Sequence, residues 1–281
     1  MPRYGLVIDV SRCSGCCSCL LAVKDEYVGN SYPGYSAAQP ASGQNWLNVI
    51  EVEQGEGDKV KVDYIPMMYR HDRNFKPFSG MPDGAMFVRD DGLTIIDPIK
   101  AKGCKQIVEA CKDGTVFWNE ELEIPQIYTL DAFRLDQGER YPRCVESCPA
   151  QAMHWGDLDD PDSDVSRFTA EHAGEIEDYL TEPGVDYVVR YYKLPKPFIA
   201  GEVVLGDKPG ECCAGAKVSL ERDGALVAET ATDFLGDFEF TGLEKGAAYC
   251  VKVSNAGYAA SVIDVLVDRA KNLGVIILNK N

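Results

Sequence analysis

The stretch CSGCCSC, residues 13–19, sets Cys13, Cys16 and Cys19 at C-x2-C-x2-C spacing, the spacing with which a short loop wraps three corners of a cubane iron–sulfur cluster. Such a loop runs on to a fourth cysteine, and here that position is Val23. Valine offers iron no lone pair, so a cluster on this loop needs its last ligand from elsewhere in the chain. Tetrahedral zinc also takes four cysteines, and unliganded thiols are the remaining alternative. Cys17 is surplus; taking it beside Cys16 would put two adjacent residues on one cluster face, so it reads as a bystander.

Working outward, the segment VIDVSRCSGCCSCLLAV (7–23) aligns with IIDPIKAKGCKQIVEAC (95–111): Ile8-Asp9 falls on Ile96-Asp97 and Gly15-Cys16 on Gly103-Cys104. The four loop positions are Cys13, Cys16, Cys19 and Val23 in one copy, and Ala101, Cys104, Ile107 and Cys111 in the other. Neither copy is complete. The segments CKDGTVFW from Cys111 and CPAQAMHW from Cys148 also match, and a Cys-Pro pair closes a ferredoxin loop. A duplicated ferredoxin-like unit that has lost ligands accounts for these matches together.

The rest of the chain sets the bounds. With 281 residues and 45% apolar content it has material for one large domain or two ordinary ones. Of its net charge of −17, −14 lies before Leu194 (19 Lys+Arg against 33 Asp+Glu), which disfavours phosphate backbones and argues against nucleic acid as a partner. No apolar run reaches the ~20 residues of a membrane span. The start MPRYGLVIDV lacks the basic-then-apolar pattern of an export signal, so a cytoplasmic location is expected, unless a partner carries the chain out. Eleven cysteines in such a chain suit metal ligands and buried thiols better than a disulfide framework. No usable phosphate-binding glycine loop is present; GEGDKV is a turn. Neither His154 nor His172 has an evident partner, and nothing resembles an independent active site.

Texture divides the chain near residue 194. Residues 1–194 are irregular, with a Gly-, Pro- and Tyr-rich insertion at about 29–94 expected to be loops with one or two strands. Asp164 is expected to cap a helix running through Glu182, with Phe168, Ile176 and Leu180 on one side. VDYVVRYYKLPKP then alternates like a strand and stiffens into a junction. Cys104 and Cys111, seven apart, are placed on one helix face about 10.5 Å apart, too far for a disulfide. Residues 195–281 hold about seven short strands with apolar residues at period two, as in Val218/Leu220 and Phe238/Phe240, and predict a β-sandwich or small barrel. The expected class is therefore α+β: a duplicated ferredoxin-like [4Fe-4S] domain (1–194) followed by an all-β sandwich (195–281), which resembles transthyretin- or Ig-like modules.

The phrases VIDVSRCSGC, SYPGYSA, DGLTIIDPIKAKG, VFWNEELEIPQ and YPRCVESCPA, with the terminal β-module, resemble the iron–sulfur subunits of molybdopterin oxidoreductases of the DMSO reductase class. Within that class the likeness is to the small subunits of pyrogallol–phloroglucinol transhydroxylases, and it runs almost end to end. The resemblance implies that Cys13, Cys16 and Cys19 share a cubane with Cys148, because duplicated ferredoxins exchange their fourth ligands. The neighbouring cluster would need ligands at Val23, near Tyr128 and Asp131, and at Cys144. The family's middle loop falls in YRHDRNFKPF, which has no cysteine, so Cys111 is stranded and Met67, Met68, Arg70, His71 and Arg73 are expected to pack where a cluster has gone.

What the resemblance implies is one [4Fe-4S] cluster in a non-catalytic subunit. Molybdenum and molybdopterin guanine dinucleotide would belong to a large catalytic partner, in a heterodimer or multiples of it. A single inner cluster fits a reaction without net electron transfer, such as moving a hydroxyl between polyphenols. The alternatives are an electron-transfer subunit of a reductive catechol or pyrogallol dehydroxylase, and a cluster-free or zinc-bound scaffold. The β-module is expected to dock, with no function for Cys212, Cys213 or Cys250.

Overall fold

A computed structural model describes residues 1–179, 185–208 and 210–281. The chain divides into two units, Met1–Glu51 with Asp63–Leu194, and Val52–Val62 with Pro195–Asn281. In chain order the elements up to Leu194 are β1 (Tyr4–Asp9), α1 (Ser18–Tyr27), β2 (Leu47–Glu56), β3 (Lys59–Met68), β4 (Met86–Val88), β5 (Thr94–Ile96), α2 (Gln106–Glu109), β6 (Phe117–Asn119), β7 (Ile124–Gln126), α3 (Ala132–Asp136), α4 (Arg143–Glu146), β8 (Met153–Asp157), α5 (Asp164–Glu171), β9 (Ile176–Glu177) and β10 (Val189–Tyr192).

The run Leu6-Val7-Ile8 is buried on both faces, which is what the central strand of a covered sheet requires. The sheet order is β8-β1-β10-β9. β1 is antiparallel to β8, with Ile8 opposite Met153, and parallel to β10, with Ile8 opposite Tyr191. This register joins the chain just before Cys13 to the chain just after Cys148: Asp9 N–H donates to the Ala152 carbonyl at 2.8 Å.

The matched segments of sequence also match in conformation. Asp9 Oδ1 accepts from Ser11 N at 3.0 Å and Asp97 Oδ1 from Ile99 N at 2.9 Å, the same turn 88 residues later. Gly15 and Gly103 have φ of 68° and 77°. Helices begin at Ser18, Gln106 and Arg143, three equivalent places. Cys111 N–H donates to the Val108 carbonyl and Cys148 N–H to the Val145 carbonyl at 3.1 and 3.2 Å, and Gly114 and Gln151 both have positive φ.

Several local expectations are corrected. α2 spans only Gln106–Glu109, so Cys104 and Cys111 do not share a helix. Cys104 packs with Ala101 and Ile107, while Cys111 Sγ donates to Asp113 Oδ1 at 2.9 Å. α5 ends at Glu171 and is capped by Ser163, whose hydroxyl accepts from Ser166 N; Ile176 lies in β9, and the expected continuation through Leu180 and Glu182 falls outside the described residues. His154 and His172 do have partners: His154 Nδ1 lies 3.0 Å from Asp164 and the ring stacks on Phe168, and His172 faces Glu175. The insertion holds the β2–β3 hairpin, the β4–β5 hairpin and connecting loops.

The second unit contains β11 (Ile199–Leu205), β12 (Lys217–Arg222), β13 (Ala225–Ala231), β14 (Asp237–Phe240), β15 (Ala248–Ser254), β16 (Ser261–Leu266) and β17 (Lys271–Leu278). They form two sheets, β14-β11-β17 and β13-β12-β15-β16. Inward residues Val203, Val218, Leu220, Phe240, Val251 and Ile276 interdigitate as one apolar core, as the period-two pattern requires. Residues 52–62, the tip of the β2–β3 hairpin, belong here too. Lys59 pairs with Asp237 at 2.5 Å and Lys61 with Glu239 at 2.5 Å.

Candidate metal centre

β1 leads through the turn Val10–Arg12 into the cysteine loop, and the loop runs directly into α1. Gly15 makes this possible. Its φ is 68°, and a Cβ there would lie 2.6 Å from a Tyr64 ring carbon, a contact that forces the ring or the loop to move. Gly15→Ala is therefore expected to cut iron incorporation severely. The equivalent Gly103→Ala, whose Cβ meets nothing within 4 Å, should cost only the ~1–2 kcal/mol of a left-handed backbone and leave iron unchanged. Equal loss of iron in both variants would refute the steric argument.

The structure brings Cys13, Cys16, Cys19 and Cys148 to one cavity, which Cys17 also lines; its remaining wall is mainly apolar, from Val49, Pro66, Ala150, Ala152 and Met153. Cys148 Sγ accepts from Ala152 N at 3.4 Å. Cys19 is buried, and burial pushes its thiol up to about 12. Burial also raises Cys13, whereas hydrogen bonds from Ser18 lower the exposed Cys16. Without metal the inner thiols thus stay protonated, and metal binding has to displace those protons.

Among the described residues no three His, Cys, Asp or Glu side chains come together as a site for a single metal ion. An apolar cage with sulfur at its corners and a backbone N–H on one sulfur has the donor set of a thiolate-ligated cluster.

The residues at which the resemblance would put a neighbouring cluster pack against one another. Cys19, Val23 and Tyr27 form the buried face of α1 at intervals of four residues. Beyond Cys19 this face meets Tyr128, Asp131 and Cys144: the Tyr27 and Tyr128 rings are 5.9 Å apart edge to face, and Tyr128 Oη donates to Asp131 Oδ2 at 2.7 Å. Arg143 N–H donates to the same oxygen at 2.6 Å, and Asp131 Oδ1 has no partner. Tyr27, missed in the sequence, is wholly buried and hydrogen-bonds Thr129; its spacing from Cys19 and Val23 was the available signal.

Burial raises the Asp131 carboxyl, and the bonds from Arg143 and Tyr128 only partly oppose it. A carboxyl raised in the folded state stabilises most below its unfolded pKa, and that contribution is lost as pH rises through the folded pKa. Asp131→Asn, which keeps an acceptor and tolerates the local φ of 53°, is expected to be more stable than wild type near pH 7. The gain should shrink toward pH 4. A thermal-midpoint difference that stays flat between those pH values would contradict it.

The middle-loop residues also pack. Met67 and Met68 are buried, Arg70 pairs with Asp113, and Arg73 pairs with Asp186. His71 is fully buried, accepts from Thr94 N at 2.9 Å through Nδ1, and is held neutral by burial, down to about 3.

These features define an iron–sulfur protein of the ferredoxin-like kind. A family model described as a 4Fe-4S dicluster domain matches residues 60–158. The chain is 32% identical over 280 residues to the pyrogallol hydroxytransferase small subunit of Pelobacter acidigallici, covering 98% of this chain and 99% of that one. It is 32% identical over 268 residues to a putative iron–sulfur subunit of the dimethyl sulfoxide reductase of Halobacterium salinarum, covering 85% and 93%. The chain belongs to this family of iron–sulfur small subunits. Among solved structures, Klebsiella pneumoniae 5-hydroxyisourate hydrolase matches 29% of this chain and 90% of its own at 19% identity and a TM-score of 0.25. No helix among the described residues is long and apolar enough to cross a membrane.

Proposed function

We propose that this chain is the non-catalytic subunit of a molybdopterin-dependent enzyme and holds one [4Fe-4S] cluster through Cys13, Cys16, Cys19 and Cys148. The observation that carries the reading is the single cavity those four cysteines line, set against a neighbouring position occupied by Tyr27, Tyr128 and the buried carboxyl of Asp131. The matched dicluster region holds only Cys104, Cys111, Cys144 and Cys148, half the thiolates that two complete cubanes take. The shared turns at Asp9 and Asp97, and the equivalent helix starts, support descent from a duplicated unit.

Bound there, the cluster would accept and release single electrons. The chain itself supplies the cage, the apolar wall and the Ala152 N–H that donates to the Cys148 sulfur. Near end-to-end likeness to a pyrogallol hydroxytransferase small subunit supports a large catalytic partner that moves a hydroxyl between polyphenols, with molybdenum and molybdopterin guanine dinucleotide on that partner. Likeness to a reductase's iron–sulfur subunit keeps a second reading, in which an external donor delivers electrons to the one cluster for a reductive dehydroxylation.

Anaerobic purification with whatever copurifies, followed by iron, acid-labile sulfide and molybdenum assay, tests both. About four irons per chain with molybdenum present is the expected result. Near zero iron returns the scaffold reading, and about twelve means that non-cysteine ligands keep further clusters. Reduced-dye electrons that reach molybdenum in the wild type, but not when the cluster is absent, favour the reductive reading over the transhydroxylase one.

A further inference from the structure

Five thiols line a cavity whose proposed occupant has four corners. The fifth is Cys17, N-cap of α1, which adopts φ 58° and ψ 11°, a left-handed conformation in which glycine is the unstrained residue. Its Sγ lies 3.4 Å from the Gly15 carbonyl, on the loop that the other ligands share. Its neighbour Cys16 is the exposed member of the set, with Sγ 3.5 Å from the Ser18 hydroxyl. Cys13 and Cys148 are half-buried and Cys19 is buried. The Cys16 corner is thus the one most open to solvent, and Cys17 follows it directly in the loop.

We propose that Cys17 is a second ligand for the cluster corner held by Cys16, an inference that rests on the one-cluster reading above. In the exchange the Fe–S bond to Cys16 breaks as one to Cys17 forms, and the proton released by the Cys17 thiol passes to the departing Cys16 thiolate. No electron moves and the cluster keeps its charge. The chain can therefore lose its most accessible thiolate, to alkylation or oxidation, without losing the iron behind it.

Iron content and the electron paramagnetic resonance spectrum of the reduced protein test this on the complex as purified. Cys17→Ala should keep about four irons and the wild-type spectrum, and Cys16→Ala should keep about four with shifted g values. Cys16→Ala/Cys17→Ala should fall to about three irons and a three-iron signal. A Cys16→Ala protein that already matches the double variant, whether at three irons or none, overturns the proposal. Wild type without iron removes the one-cluster reading itself and this inference with it, whereas a four-iron wild type whose Cys16→Ala form matches the double variant sinks only the ligand exchange.

Discussion

Cys148→Ser is expected to take iron from about four per chain to three or fewer, with loss or conversion of the reduced-cluster signal, while Cys111→Ser leaves both unchanged. The two residues are equivalent by sequence and by local geometry: each follows a short helix, and each backbone N–H closes the same turn. What differs is the surroundings. Cys148 lines the cavity with Cys13, Cys16 and Cys19, whereas Cys111 Sγ donates to Asp113 and lies near Thr115. A cluster that survives Cys148→Ser intact would refute the crossed-ligand assignment, and iron lost on Cys111→Ser would place a ligand where none is proposed.

Arg70→Met should be the most destabilising single change in the segment 69–78. The Arg70 and Asp113 side chains are 3% and 7% exposed and meet at 2.9 Å, with the guanidinium 3.6 Å from the Tyr187 ring centroid. Removing one partner of a buried pair costs about 3–5 kcal/mol, which for a chain of this size lowers the thermal midpoint by about 10 °C. The pH dependence supplies a signature. Burial pushes the Asp113 carboxyl up, but hydrogen bonds from Cys111, Thr115 and Arg70 outweigh it and hold the carboxyl below its usual value. In wild type that contribution is present above the unfolded pKa and lost as pH falls through the folded one. Without Arg70 the effect of burial prevails, the carboxyl rises, and its contribution is lost as pH rises instead. The gap between variant and wild type should therefore be widest near neutrality and narrow in acid. A constant gap across pH would mean that packing on Tyr187, not charge, holds Arg70 in place.

The parts of this fold legible in the sequence were those fixed by short-range rules. Cys13, Cys16 and Cys19 announced the loop by spacing alone, and the strands around Val218/Leu220 and Phe238/Phe240 announced the second unit by alternation. The cavity partner Cys148 was reachable only through resemblance, because the β1–β8 register that delivers it is a pairing of distant segments. The helix expected through Glu182 failed because Gly174 in the left-handed region follows His172 and the chain turns into β9. The grouping of residues 52–62 with the second unit had no local signal; Lys59 and Lys61 find Asp237 and Glu239 across a separation of 178 residues. Asp131 was legible as a position but not as a buried carboxyl, since only packing against Tyr27 and Tyr128 makes it one.

The placement of Cys148 also sets a timetable. Three proposed ligands leave the ribosome within the first 19 residues, and the fourth follows 129 residues after Cys19. Until then a nascent chain offers iron an incomplete cage. Closing that long loop has an entropic cost that grows only as the logarithm of its length, and the pairing of Ile8 with Met153 closes it. On the proposed ligand set, cluster loading is expected to be a late event that follows completion of the sheet, and a chain truncated before residue 148 is expected to remain unmetallated.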